Sequence, residues 1–102
     1  MNKIPPSRDY RIGLLKRLAD TEEAAAYLSA ALEENDLPVL LLALRDVADA
    51  NGGLSKLAET TGLGRESLYK TLSEKGNPQL DTVARLLDAL GLQLAVTAKE
   101  AA

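Results

Sequence analysis

The length, composition and charge of the chain limit what it can be. With 102 residues, 46% of them hydrophobic and 26% charged, the chain is long enough for one folded domain and has an ordinary globular composition. It contains no cysteine and no histidine, which excludes disulfides, thiolate metal sites and the side chain most often used in acid–base catalysis. We therefore expect a protein that is not an enzyme and holds no cofactor or metal. No secretory signal or long apolar run is visible, so we expect it in the cytoplasm.

Charge is distributed unevenly along the chain. The net charge of −3 opposes contact with DNA phosphates overall, but residues 1–17 carry +4, residues 18–36 carry −6 and residues 54–78 carry +1. The acids of residues 18–36 lie at both ends of one predicted helix, and we interpret them as a solvated surface rather than a metal or acid–base site. This separation of basic and acidic segments along the chain indicates two different partner surfaces.

Residues 1–19 are predicted to form a basic arm and a short helix. Residues 1–7 lack periodicity and contain two prolines, which is typical of a mobile arm. Order is expected from near Asp9, and the apolar positions between Ile12 and Leu18 predict a short amphipathic helix.

Residues 20–97 are predicted to form a single helical domain, with residues 98–102 as a tail. Asp20 or Thr21 is expected to cap the second helix, which Asn35 and Asp36 end, and its apolar positions recur at helical spacing: Ala24, Tyr27, Leu28, Ala31 and Leu32. The third helix is expected to begin at Pro38, to end at Ala50 before Gly52 and Gly53, and to be apolar around most of its circumference, as a central helix is.

The second half of the chain is predicted to contain three more helices and a strand. Short helices are expected at Ser55–Thr61 and Arg65–Ser73, and a last helix is expected to be capped by Asn77, to open at Pro78 and to stop at Gly91. Residues 92–97 alternate imperfectly between apolar and polar, which predicts one short strand. Because a lone strand is unstable, this pattern predicts pairing with a second copy, hence a homodimer.

Residues 54–73 have the spacing of a helix-turn-helix. Ala58 is small where two helices would cross, Gly62 allows a tight turn, and Leu63 fills the angle between the helices. Leu68 and Leu72 would hold the second helix against the core, leaving its N-terminal end and outer face for the major groove of DNA. The following Gly76-Asn77-Pro78 and capped helix match the next element of a Cro/repressor-type domain.

The candidate DNA contacts follow from that geometry. Arg65 is placed to read a guanine edge; Glu66 is interpreted either as a contact to cytosine or as a partner of Lys70, and Tyr69 either as a DNA contact or as a packing aromatic. The remaining candidates position the protein on phosphates or lie at the helix start. The full set is Ser55, Lys56, Gly64, Arg65, Glu66, Ser67, Tyr69, Lys70, Ser73, Lys75 and Asn77.

The chain resembles the HigA-like addiction-module antidote proteins over about residues 9–97, most specifically in EEAAAYL…AALEE, GLGRESLYKTLS and GNPQLDTV. The resemblance implies an antitoxin of a type II toxin-antitoxin system, which neutralises a basic RelE/ParE-type toxin and represses its own operon. Two positions depart from the usual pattern: position 54 is Leu instead of Gln, and position 64 is Gly instead of Ser. The first leaves the phosphate contact at that helix start open, with Ser55 as the natural substitute.

We therefore predict an all-α fold: a Cro/lambda-repressor-like DNA-binding domain of five to six helices with a short C-terminal β-strand, which binds double-stranded operator DNA as a homodimer. Two alternatives remain open. One is a free-standing phage-type regulator without a toxin; the other, favoured by the negative net charge, is a protein-binding helical adaptor without DNA binding. The basic N-terminal arm has three interpretations: contact with DNA, contact with the toxin, or a solvated tail.

Overall fold

The computed structural model describes residues 8–100, and these form six helices and no strand. The helices are α1 (Arg8–Leu18), α2 (Thr21–Glu33), α3 (Leu37–Ala50), α4 (Gly53–Thr61), α5 (Arg65–Thr71) and α6 (Leu80–Ala89). The all-helical class and the number of helices are confirmed. The predicted arm at residues 1–7 and the last two residues of the predicted tail lie outside the described residues.

Helix α3 is the centre of the molecule, as its apolar circumference predicted. It packs against α1, α2 and α4, and its side chains include three of the most deeply buried ones, Leu41, Leu44 and Val47. Pro38 lies in its first turn, where the missing N–H has no intrahelical partner to lose. Every element that carries a candidate site residue is therefore supported, directly or through α4, by this one helix.

The turns between the helices are set by local chemistry. The Asp20 carboxylate accepts a hydrogen bond from the Glu22 amide at 2.8 Å, so the predicted cap of α2 is confirmed. The turn into α4 passes through Gly52 and Gly53 at φ of 105° and 89°, a left-handed conformation that side chains disfavour. This is the positive-φ turn that the two glycines predicted.

Helices α1 and α2 bury less of their apolar surface than their patterns predicted. Leu14, Leu18, Ala24, Leu28 and Ala31 join the core. Ile12 and Leu32, predicted on the same apolar faces, are exposed by 47% and 50%. Among the helices, α1 and α2 pack only against α3 and each other, so the outer edge of each apolar stripe stays partly exposed to solvent.

The predicted C-terminal strand is not present in the described single chain, where residues 92–97 form no regular secondary structure. The Leu92 amide donates to the carbonyl oxygen of Leu87 at 2.8 Å, and the Leu92 side chain packs on the core. Beyond it the chain meets no neighbouring strand within residues 8–100, and without a ladder partner an extended segment cannot become a strand.

Several helix ends also differ from expectation: α3 begins at Leu37 rather than Pro38, and α4 begins at Gly53 rather than Ser55. Helix α5 ends at Thr71 rather than Ser73, and α6 begins at Leu80 with Gln79, not Asn77, at the cap position. The Gly76 amide donates to the carbonyl oxygen of Ser73 at 2.8 Å, and the chain then runs irregularly to residue 79. Asn77 and Pro78, which were predicted to start the last helix, therefore lie in this irregular segment. None of the helices within residues 8–100 is long and apolar enough to cross a membrane.

Candidate nucleic-acid interface

Helices α4 and α5 are joined by a short, well-bonded turn. Gly62 ends α4 at φ 76°, and its amide donates to the carbonyl oxygen of Ala58 at 2.9 Å. The Thr61 hydroxyl donates to the carbonyl oxygen of Leu57 at 2.7 Å and accepts from the Leu63 amide at 3.3 Å. The predicted turn at Gly62 is confirmed, and the hydrogen bonds of Thr61, which no sequence pattern singled out, stabilise it further.

The inner side of α5 is apolar and buried. Leu68 and Leu72 are each 1% exposed, and Ala58 of α4 is 7% exposed. Leu63 packs against the same core from the turn. The spacing predicted these four residues on the buried side of the helix pair, and the structure places them there.

The outer side of the helix pair carries the predicted site residues. All of them are exposed except Ser73, which is half-buried. The Ser73 hydroxyl donates to the carbonyl oxygen of Lys70 at 2.7 Å, so it satisfies a backbone acceptor at the C-terminal end of α5. No ion pair joins Glu66 to Lys70 among the described residues, and both side chains face solvent. Residues 54–78 therefore expose four cations and three acids, a net charge of +1 in a chain whose net charge is −3.

Tyr69 lies beside two guanidinium groups. The Cζ atom of Arg65 is 5.8 Å from the centre of its ring, and that of Arg45, on α3, is 5.9 Å away. The ring is still 42% exposed. Each cation–π contact at such a site contributes about 0.5–1 kcal/mol, which favours defined positions for both arginines. Sequence reasoning missed Arg45, because no local pattern connects it with a residue 24 positions away.

The arrangement brings three positive or hydrogen-bonding groups together. Arg65 lies at the first position of α5, Tyr69 one turn later, and Arg45 beside it on the central helix. Neither arginine forms an ion pair with an acid of the described chain. Guanidinium groups without a carboxylate partner are suited to bidentate binding of phosphate or of a guanine edge.

A polar network fixes the helix that carries Arg45. Asp46, 5% exposed, accepts hydrogen bonds from the Arg11 guanidinium and the Tyr27 hydroxyl, both at 2.7 Å. Arg11 also pairs with Asp49 at 2.8 Å. Burial, together with the hydrogen bond to Asp46, raises the pKa of Tyr27 to about 12; the hydrogen bond to Asp46 also raises the pKa of Arg11. The network therefore ties α1 to α3 through the ion pair between Arg11 and Asp46, and α2 to α3 through the hydrogen bond that the neutral Tyr27 hydroxyl donates.

The fold and this surface define a small all-helical protein that presents a basic, arginine-bearing helix pair. Residues 10–98 match the sequence model of a family described as probable addiction module antidote protein. A protein of Haemophilus influenzae Rd, described only as uncharacterized, is 41% identical over 81 residues, which cover 79% of this chain and 82% of that protein. No solved structure matches the chain.

The chain belongs to the family of probable addiction module antidote proteins. This confirms the antidote family that the resemblance implied. It also implies a non-enzymatic regulatory role and the binding of a cognate toxin.

Proposed function

We propose that the protein is an antitoxin of the HigA-like kind: it neutralises a RelE/ParE-type toxin and represses its own operon through α4 and α5, acting as a Cro/repressor-type helix-turn-helix. The observation that carries the DNA-binding part is the division of α5 into a buried side, with Leu68 and Leu72, and an exposed side, with Arg65, Tyr69 and Lys70. A helix held from behind in this way can enter the major groove without rearrangement.

In this proposal the exposed residues divide into readers and positioners. Arg65 contacts a guanine edge, and one good bidentate contact discriminates between bases by about 1–3 kcal/mol. Glu66, Ser67 and Tyr69 lie next to it on the same helix. The phosphate-positioning group surrounds them and consists of Ser55, Lys56, Lys70, Ser73, Lys75 and Asn77, with Gly64 allowing close approach at the helix start.

Arg45 joins the phosphate-positioning group because its guanidinium lies beside Tyr69 and lacks an acidic partner in the described chain. It adds a cation from α3 to those of residues 54–78. This local excess supports DNA binding by a chain whose net charge is −3, since the field close to a phosphate depends on the nearest charges.

The operator-bound form is proposed to be a homodimer. Leu94 and Val96, which are 42% and 99% exposed, lie two residues apart in residues 92–97. Side chains at this spacing fall on one face when the segment is extended. Pairing with the same segment of a second copy would supply the ladder partner that a single chain lacks, and a two-fold dimer suits a palindromic operator.

Co-expression with the toxin encoded beside this gene tests the proposal. Cells that carry the toxin alone should stop growing, and the chain should restore growth. A reporter driven by the operon's upstream DNA should be repressed by the wild-type chain and released by Arg65→Ala, with neutralisation retained.

Three outcomes would change the account. Repression without neutralisation would establish the free-standing regulator. Neutralisation without repression, at equal protein level, would establish the protein-binding adaptor. Failure of both would refute the proposal.

A further inference from the structure

The exposed apolar side chains of the described chain are concentrated at one corner. Among residues 8–100, ten large hydrophobic side chains are exposed, and four of them lie in the short stretch from α2 into α3. These four, which we call the corner patch, are Leu32, Leu37, Val39 and Leu42, exposed by 50%, 41%, 38% and 62%. Single exposed apolar residues are ordinary, but a contiguous group marks an interaction surface.

Two adjoining grooves share Val39 and Leu42 of the corner patch. Leu32 and Leu37 line a third cleft, which shares Ala31 with the first groove and Asp36 with the second. The first, about 250 Å³, lies between α2 and α3 and is floored by small side chains, Ala30, Ala31 and Ala43. The second, about 480 Å³, continues past Pro38 to Leu72, just after α5. Alanines on facing helices leave room that larger residues would fill. We call the two grooves together the trough; Leu42, which lines both of them, is 62% exposed.

The trough has an acidic border. Glu34 lines one groove, and Asp36 and Glu74 line the other. The one cation that lines either groove is Arg45, and its guanidinium lies beside the Tyr69 ring. A partner that buries the trough therefore meets aliphatic side chains in the middle and carboxylates at the edge. Charge complementarity selects a partner segment that has aliphatic and basic side chains.

We propose that the corner patch and its two grooves are the docking surface for the cognate toxin, which covers them with an aliphatic segment flanked by lysine or arginine. This rests on the proposed antitoxin function and assigns it a surface. A second copy of this chain fits less well. A two-fold contact would place the same patch on both sides, so that three carboxylates and one guanidinium from each copy would share one interface, which is a net repulsion.

Substitutions at the centre and at the edge of the patch test the proposal. The probe is the purified toxin encoded beside this gene, with affinity and association rate measured by biolayer interferometry. Leu42→Glu should raise the Kd for the toxin at least about tenfold, as a central contact does. The matched control is Leu80→Glu, an equally apolar residue that is 72% exposed at the start of α6; it should change the Kd less than about twofold.

The edge of the patch is tested by its effect on association. Glu34→Lys should slow association about threefold or more at low salt, and the difference should shrink as salt rises. Glu59→Lys, on the exposed side of α4, makes the same charge change away from the patch and should leave the rate within about twofold. Because Glu34 is exposed, this variant keeps the fold intact and remains informative if Leu42→Glu unfolds.

The results separate the surface from the function. A wild-type chain that does not bind the toxin overturns both proposals. A wild-type chain that binds, together with Leu42→Glu and Glu34→Lys variants that bind equally well, overturns the docking surface and leaves the antitoxin function standing. Loss of the chain's own dimer in Leu42→Glu, measured by sedimentation velocity, would assign the patch to a second copy and overturn the proposal as well.

Discussion

Removing the Asp46 carboxylate should destabilise the protein far more than removing the neighbouring Asp49. Asp46→Ala deletes two hydrogen bonds of 2.7 Å to a charged acceptor and leaves the Tyr27 hydroxyl without this partner. A hydrogen bond to a charged group contributes about 1.5–3 kcal/mol. The bond from Arg11 counts for less, at most about 1 kcal/mol, because its side chain is 41% exposed and keeps Asp49 as partner. The expected loss in the free energy of unfolding is therefore about 2–4 kcal/mol.

Asp49→Ala is the matched control, since it removes a carboxylate from the same helix and the same arginine. The Asp49 side chain is 41% exposed, against 7% for Asp46, so its loss should cost less than about 1 kcal/mol. Urea unfolding followed by circular dichroism measures both variants at one protein concentration. Tyr27→Phe added to Asp46→Ala should cost little more, because the shared bond is already gone. If both aspartate variants lose the same free energy of unfolding, Asp46 is not the residue whose polar contacts hold α1 and α2 to α3.

Three further predictions concern the glycine turn, alkaline pH and the arginine on α3. Gly76→Ala should destabilise the protein by about 1–3 kcal/mol in urea unfolding, because a Cβ there would overlap the Thr71 carbonyl group. Gly64→Ala, whose Cβ would have ordinary contacts, should change the free energy of unfolding by less than about 0.5 kcal/mol. Equal effects of the two substitutions would contradict the close approach of Gly76 to Thr71. Because the pKa of Tyr27 is raised to about 12, its stabilising effect is complete below the unfolded pKa of about 10 and is lost as pH rises through about 12. Tyr27→Phe should therefore remove part of the loss of stability between these two pH values. An unchanged dependence of the unfolding free energy on alkaline pH would count against this role of Tyr27. Arg45→Ala should weaken operator binding about two- to fivefold in fluorescence anisotropy, since it removes one exposed phosphate contact worth about 0.5–1 kcal/mol. Unchanged affinity would exclude Arg45 from the interface.

The features that sequence predicted best are those that depend on neighbours in the chain. Pro38 near a helix start, the left-handed Gly62 and the one-turn spacing of Leu68 and Leu72 each follow from local geometry, and the structure has them where the pattern put them. An amphipathic helix fixes its inward face by periodicity alone. The buried side of α5, and hence its exposed side, could be predicted for the same reason.

What the sequence could not predict depends on contacts between distant residues. Asp46 lies on α3 between apolar positions, and nothing local shows that Arg11 and Tyr27 meet it there. The stack of Arg45 on Tyr69 is hidden for the same reason. Residues 92–97 have the alternation of a strand, but a strand needs a partner that no single-chain pattern supplies.

The proposal that α4 and α5 bind DNA is best tested by the salt dependence of binding to the DNA upstream of the gene. Fluorescence anisotropy with the wild-type chain and Arg65→Ala, on that DNA and on a scrambled duplex, gives affinity and specificity together. If the helix pair contacts phosphates, wild-type affinity should fall steeply as salt rises, by about one power of the salt concentration for each phosphate contact. The proposal also predicts at least about tenfold weaker binding by Arg65→Ala to the upstream DNA, with little change on the scrambled duplex. Absence of binding at low salt, or equal binding of both proteins to both duplexes, would contradict it.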